Sequence, residues 1–232
     1  MPDRPSSARP APALRGVTLA VDVVLFTPRG SELAVLLGPG AVRGRVRDKP
    51  GLPSDTLRAD ESLDEAAARI SHDALGEMPT FLDQAGANGG ARRQPDGAQI
   101  TITYLGLVPD TGGAARPDAQ WVSISDLSAL SARQRSEIET AVTSMRAQVD
   151  QQPIAFKLLP PAFTLSELQS VYELLLGRRL HKASFRRSLH ASALVEATDE
   201  WRSEGRGRPA QLFRYAPPRR RRARRGIRFD LL

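Results

Sequence analysis

The chain has 232 residues, 41% of them hydrophobic, which is enough for two cored domains. With no run of about 18 apolar residues and no apolar signal core near Met1, a membrane-spanning helix is excluded and a cytoplasmic location expected. Cysteine is absent and His72, His181 and His190 are scattered, so disulfides, thiolate metal sites and zinc clusters are excluded, and no metal or cofactor is expected.

The formal net charge of +7 is unevenly spread. Residues 157–232 carry 17 Lys and Arg against 7 Asp and Glu, whereas residues 1–156 carry 16 against 19. A basic module behind an acidic front is the footprint of a polyanion-binding surface, with nucleic acid the first candidate.

In chain order, residues 1–15, rich in Pro, Ala and Ser, read as a disordered tail. VTLAVDVVLF (17–26) and ELAVLLG (32–38) read as two strands around a turn at residues 27–31. Pro39 to Lys49 is Gly- and Arg-rich, and Gly38-Pro39-Gly40 reads as a turn rather than a phosphate loop, since no Gly-Lys-Ser or Gly-x-x-Gly follows it. Ser62 and Glu65 then make a capping box, and Leu63, Ala67, Ile70 and Ala74 form the buried stripe of a short helix. Residues 81–97 read as a strand end plus a long loop, 100–109 as a strong strand, 121–130 as a short strand and turn, and 133–149 as a helix. Sheet and helix alternate as in an α/β sandwich spanning residues 16–150.

The capped helix lies within GLPSDTLRADESLDEAAARISHDALGE (51–77), which resembles the Nudix box. The family pattern runs Gly, five residues, Glu, seven residues, then Arg-Glu-U-x-Glu-Glu-x-Gly-U, where U is bulky and apolar. With Glu61 as the first Glu, Arg69 falls on the motif Arg and Gly76 on its last Gly, while Ile70, Asp73 and Ala74 occupy the three Glu positions. Residues at i, i+3 and i+4 share a helix face, so three Glu there would converge on Mg²⁺ or Mn²⁺. A single carboxylate makes a poor magnesium site. Ser54 and Asp55 also stand where the common family run LPGGFVRPDESL has two glycines. The frame survives and the chemistry does not.

A new pattern starts after QQPIAFKLLPPAF (151–163). Thr164 and Glu167 form a second capping box, Leu165, Leu168, Val171, Tyr172 and Leu175 recur at helical spacing, and Gly177 ends the helix. A further helix begins near Lys182, with Phe185 and Leu189 as inward anchors and Lys182, Arg186, Arg187 and His190 on its basic side. LVEA (194–197) and QLFRYA (211–216) pair as strands around a loop ending Gly205-Arg206-Gly207-Arg208-Pro209. This is a winged helix-turn-helix layout over residues 151–217. The Arg-Gly-Arg-Pro run also matches a minor-groove hook, and either reading puts Arg206 and Arg208 on DNA. The basic tail, 218–232, holds RRRRARR (219–225), which adds nonspecific affinity.

Together, a degenerate Nudix domain followed by FTLSELQ, Gly177, FRR and GRPAQLFRY resembles the Nudix-related transcriptional regulators, the NrtR-like proteins. That resemblance implies a Nudix-like α/β/α sandwich followed by a winged helix-turn-helix, and a non-enzymatic homodimeric repressor of genes for NAD metabolism or related cofactor and sugar use. Its partners would be double-stranded operator DNA and a small effector: ADP-ribose, a related nucleotide, or a sugar phosphate. The expected DNA readers are Arg186 and Arg187, with Arg178 and Lys182 as backbone anchors, and Arg43 and Arg45 lie near the expected effector cleft. Arg69 is expected to organise helix and loop rather than touch ligand. Two rival classes remain: a working Nudix hydrolase recruiting Glu61, Glu65 and Asp73, and a nonspecific nucleic-acid binder.

Overall fold

A computed structural model describes residues 18–42, 45–89, 100–110, 116–203 and 209–216, with side chains for all but 40–42 and 45–49. The tail at 1–15, Arg43, Arg206, Arg208 and the run at 219–225 lie outside the described residues.

Strands β1 (Leu19–Arg29) and β2 (Glu32–Val42) form an antiparallel hairpin. Arg29 pairs with Glu32, so the turn is Gly30-Ser31 and tighter than residues 27–31. Gly30 adopts φ 60°, the left-handed conformation that two-residue hairpin turns demand. Strand β3 (Arg45–Gly51) continues the sheet beside β2, so Gly38 to Gly40 lie within a strand and not in the expected turn. Pro39 opposes Pro50 next to a register shift. Such an edge pair is held by main-chain bonds and tolerates proline, which hides it from an apolar-alternation reading.

A short strand β4 (Ser54–Thr56) pairs with β1, and helix α1 (Leu63–Leu75) follows. Next come β5 (Phe81–Gly89), β6 (Ile100–Leu107), β7 (Gln120–Ser123) and helix α2 (Ala132–Val149). The expectation of a strand end and long loop from residue 81 is corrected: β5 runs for nine residues, with a bulge between Gln84 and Gly86. It is an edge strand whose Gly, Asn and Asp content and half-exposed faces mask its pairing with β6.

The sheet runs β3-β2-β1-β6-β5, with β4 also on β1 and β7 on β2; β1 and β6 are parallel. Central β1 is buried without a break from Val21 to Thr27, as a strand covered on both faces must be. Val21, Val23, Leu25, Leu36, Ile102 and Tyr104 pack beneath Ala66, Ala67 and Ile70 of α1. On the opposite face Val24, Phe26, Val35, Leu37 and Leu105 pack with Ile138, Ala141 and Met145 of α2. This is the α/β/α sandwich.

A short 3-10 turn (Ile154–Leu158) leads to α3 (Leu165–Leu176), α4 (Lys182–Ser192) and the pair β8 (Val195–Arg202) and β9 (Ala210–Tyr215). Strand β8 outruns the expected residues 194–197 because a bulge between Ala197 and Trp201 lets it continue. Phe156, Phe163, Leu168, Tyr172, Phe185 and Leu189 belong to the same apolar cluster as the α2 face of the sheet. The C-terminal module is thus docked onto α2 through a shared core.

Candidate effector cleft and nucleic-acid interface

Helix α1 begins at Ser62, whose hydroxyl accepts from the Glu65 N–H at 3.2 Å while the Glu65 carboxylate accepts from the Ser62 N–H at 2.8 Å. It ends at Gly76, which takes φ 80° and donates its N–H to the His72 carbonyl. Ile70 is core, whereas Asp73 is exposed and Ala74 half-buried, so the three former Glu positions do not open together onto one cation site. Glu61 and Glu65, the carboxylates a hydrolase would have to recruit, are engaged elsewhere. Among the described residues, no group of three or more His, Cys, Asp and Glu could hold a metal ion.

Glu61 is gripped in two-pronged fashion by Arg69, at 3.0 Å through Nε and 2.7 Å through Nη2, and accepts the Arg58 N–H at 2.8 Å. The Arg69 Nη1 reaches Asp55 at 2.7 Å, and Nη2 meets the Thr56 carbonyl at 3.4 Å. Arg69 therefore ties α1 to the loop and to β4. The hydrogen bond from Arg69, with the Arg58 N–H and both arginine charges helping, lowers the Glu61 pKa from 4.5 to about 2 against its desolvation. The same pairing raises Arg69.

A depressed carboxylate contributes stability that is fully present above its unfolded pKa and lost as pH falls through the folded one. Glu61→Gln is therefore expected to melt below the wild type at pH 6. The gap should narrow between pH 4.5 and about 2, where the wild-type carboxylate protonates. Parallel melting curves across that window would show the clamp to be inert.

On the other face of the sheet Asp22, fully buried, accepts Ser54 Oγ and Arg133 Nη1, each at 2.5 Å. Buried Glu137 accepts Thr103 Oγ1 and, at 2.9 Å, Asn88 Nδ2, with Arg133 at 3.9 Å. This network escaped the sequence reading, although a lone carboxylate within VTLAVDVVLF was a visible signal. Arg45 opens β3 with its side chain undescribed, and Arg43 lies outside the described residues, so the expected cleft-mouth arginines have no geometry here.

The helix-turn-helix is assembled by two glutamates. Glu167 closes the α3 capping box, accepting the Thr164 N–H at 2.6 Å, and also receives Arg202 of β8 at 2.6 Å. Glu173 accepts Leu180 N–H at 2.9 Å, Gln169 Nε2 at 2.9 Å and Arg179 at 3.0 Å, pinning the turn that follows Gly177. Burial opposes its ionisation, but those three donors outweigh it and lower its pKa.

Helix α4 sits on Phe185 and Leu189, both buried, and exposes Lys182, Arg186, Arg187 and His190. Arg178 is exposed in the turn and lines a cleft of about 540 Å³ between the β1–β2 turn, the end of β7 and α3. Arg186, Arg187 and Lys182 share one helix; Arg178 stands apart from it.

A Nudix-fold sandwich carrying a winged helix-turn-helix on its last helix defines a class of two-domain regulator. Residues 155–215 match the family model described as the NrtR DNA-binding winged helix domain. The crystal structure of Shewanella oneidensis NrtR complexed with a 27mer DNA is 30% identical, covering 85% of this chain and 93% of that one, with TM-score 0.74. The ADPR responsive transcriptional repressor NtrR of Acinetobacter baylyi is 29% identical over 85% of this chain and 82% of its own length. A MutT/nudix family protein from Enterococcus faecalis shares the fold at TM-score 0.66 and 17% identity, over 90% of each chain. The chain belongs to the NrtR family of Nudix-related transcriptional regulators. No described helix is long and apolar enough to cross a membrane.

Proposed function

We propose that this protein is a homodimeric repressor that binds operator DNA through α4 and its wing and is controlled by ADP-ribose bound in the Nudix-fold domain. The observation that carries the reading is the exposed Lys182, Arg186 and Arg187 row on a helix held by a turn docked on α2. The 30% identical Shewanella protein, matched over 93% of its chain and crystallised with a 27mer DNA, supports the DNA assignment, and the name of the Acinetobacter relative supports the effector. Arg186 and Arg187 read bases or phosphates, Lys182 and Arg178 anchor the backbone, and Arg206 and Arg208 contact DNA as wing-loop or minor-groove arginines. Two copies present their α4 helices about one helical turn apart on a roughly palindromic site.

The domain is read as a sensor and not a hydrolase. Glu61 is engaged by Arg69, Glu65 by the helix cap, and Ile70 is core, so among the described residues no set of carboxylates is left to clamp a cation on a diphosphate. A bound and uncleaved ligand then reports its own concentration by favouring one domain arrangement.

The test is reciprocal. If ADP-ribose lowers operator affinity tenfold, about 1.4 kcal/mol, operator must lower ADP-ribose affinity by the same factor. Calorimetric titration of the full chain with ADP-ribose, with and without operator, measures both arms. Absence of ADP-ribose binding at millimolar concentration would remove the sensor. Metal-dependent turnover of ADP-ribose above about 0.1 per second would restore an enzyme.

A further inference from the structure

The geometry points to β4 as the link that joins the degenerate Nudix helix to the helix carrying the DNA-binding module, with Ser54 and Asp55 as its two positioning residues. In a strand, neighbouring side chains point to opposite faces. β4 uses this on three residues: Asp55 turns toward α1 and receives Arg69 at 2.7 Å, while Ser54 turns the other way and donates to Asp22 at 2.5 Å. Asp22 in turn holds Arg133, one residue into α2, at 2.5 Å.

The connection continues along α2. Its first turn is anchored on Asp22 of β1, the carboxylate that Ser54 of β4 also holds, and its last turns, through Met145 and Val149, share a core with Leu168 and Tyr172 of α3. Arg146 fills the space that any side chain at Gly177 would need, at the left-handed residue where α3 gives way to the α3–α4 turn. A displacement of α1 or its loop is therefore passed to β4, then to the start of α2, and along that helix to the turn bearing α4. The two residues standing where the Nudix pattern has glycines are the two that supply these side chains. A Gly-Gly turn could make neither bond.

This rests on the effector reading above, and the test separates the two. The full-length protein is titrated with operator in the absence and presence of saturating ADP-ribose, as wild type, Ser54→Ala, Asp55→Gly and Ser54→Thr. Both Ser54→Ala and Asp55→Gly are expected to shrink the effector-induced change in operator affinity from tenfold to within about twofold, and Ser54→Thr, which keeps the hydroxyl, to retain it. A purely structural role would lower melting temperature without altering that ratio.

A second readout needs no effector. If β4 is the link, the effects of Asp55→Gly and Ser54→Ala on operator affinity are non-additive by at least about threefold in the double variant. Full coupling in both single variants, or additive effects within about twofold, would overturn the link. A wild type that ignores ADP-ribose but shows the non-additivity would keep the link and remove the sensor reading.

Discussion

Replacing Arg186 and Arg187 together by Ala is expected to lower operator affinity by roughly 30-fold to 20,000-fold, following about 1–3 kcal/mol per specific base contact. Both side chains are exposed on α4, and Ala is the best helix former, so the helix and its anchors Phe185 and Leu189 stay in place. Among the described residues neither arginine is drawn into an ion pair, in contrast to Arg179 with Glu173, Arg202 with Glu167 and Arg214 with Glu196. Their charge is available to a polyanion, whereas the paired arginines hold the turn and the wing. Random DNA, bound through phosphates alone, should lose far less. Deleting residues 219–225 should weaken operator and random DNA alike, since counterion release carries no sequence information. Anisotropy titrations at one fixed salt concentration distinguish the cases, and equal losses on both DNAs for both variants would leave only a nonspecific binder.

The parts of this molecule written in local rules were legible. Each capping box found in the sequence, Ser62 with Glu65 and Thr164 with Glu167, is formed, and Gly76 and Gly177 close their helices in the left-handed conformation. The inward placement of Phe185 and Leu189 followed from their i, i+4 spacing. Edge strands were less visible, because β3 and the outer part of β5 are held by main-chain pairing and carry Gly, Pro and Asn in place of apolar alternation.

Long-range polar pairs were least visible. Arg133 and Asp22 are 111 residues apart, and no pattern in one sequence joins them. Arg69 is the instructive intermediate case: its organising role follows from its motif position, but its second partner, Asp55, exists only because this chain departs from the motif. Reading the departure as mere loss therefore missed a bond gained.

Phe185→Ala should be strongly disruptive in the C-terminal module, at about 3–5 kcal/mol for the lost burial and the cavity left behind. The side chain is 1% exposed and meets Tyr172 edge-to-face with ring centroids 5.7 Å apart. Tyr172 is itself fully buried among the residues that join α3 to the α2 face of the sheet, and burial raises its phenol pKa. Because that cluster runs without interruption from β1 through α2 into α4, the loss is spread across both domains instead of confined to one. The expected melt is a single cooperative transition lowered by roughly 6–20 °C, given about 2–4 °C per kcal/mol at this chain length. Phe185→Leu, which keeps most of the volume, should cost about 1.5 kcal/mol or less and preserve operator binding. Calorimetry on both variants decides the point: an early, separate transition in Phe185→Ala would show that the winged helix melts on its own, and that the shared core does not bind it to α2 strongly enough to carry a signal.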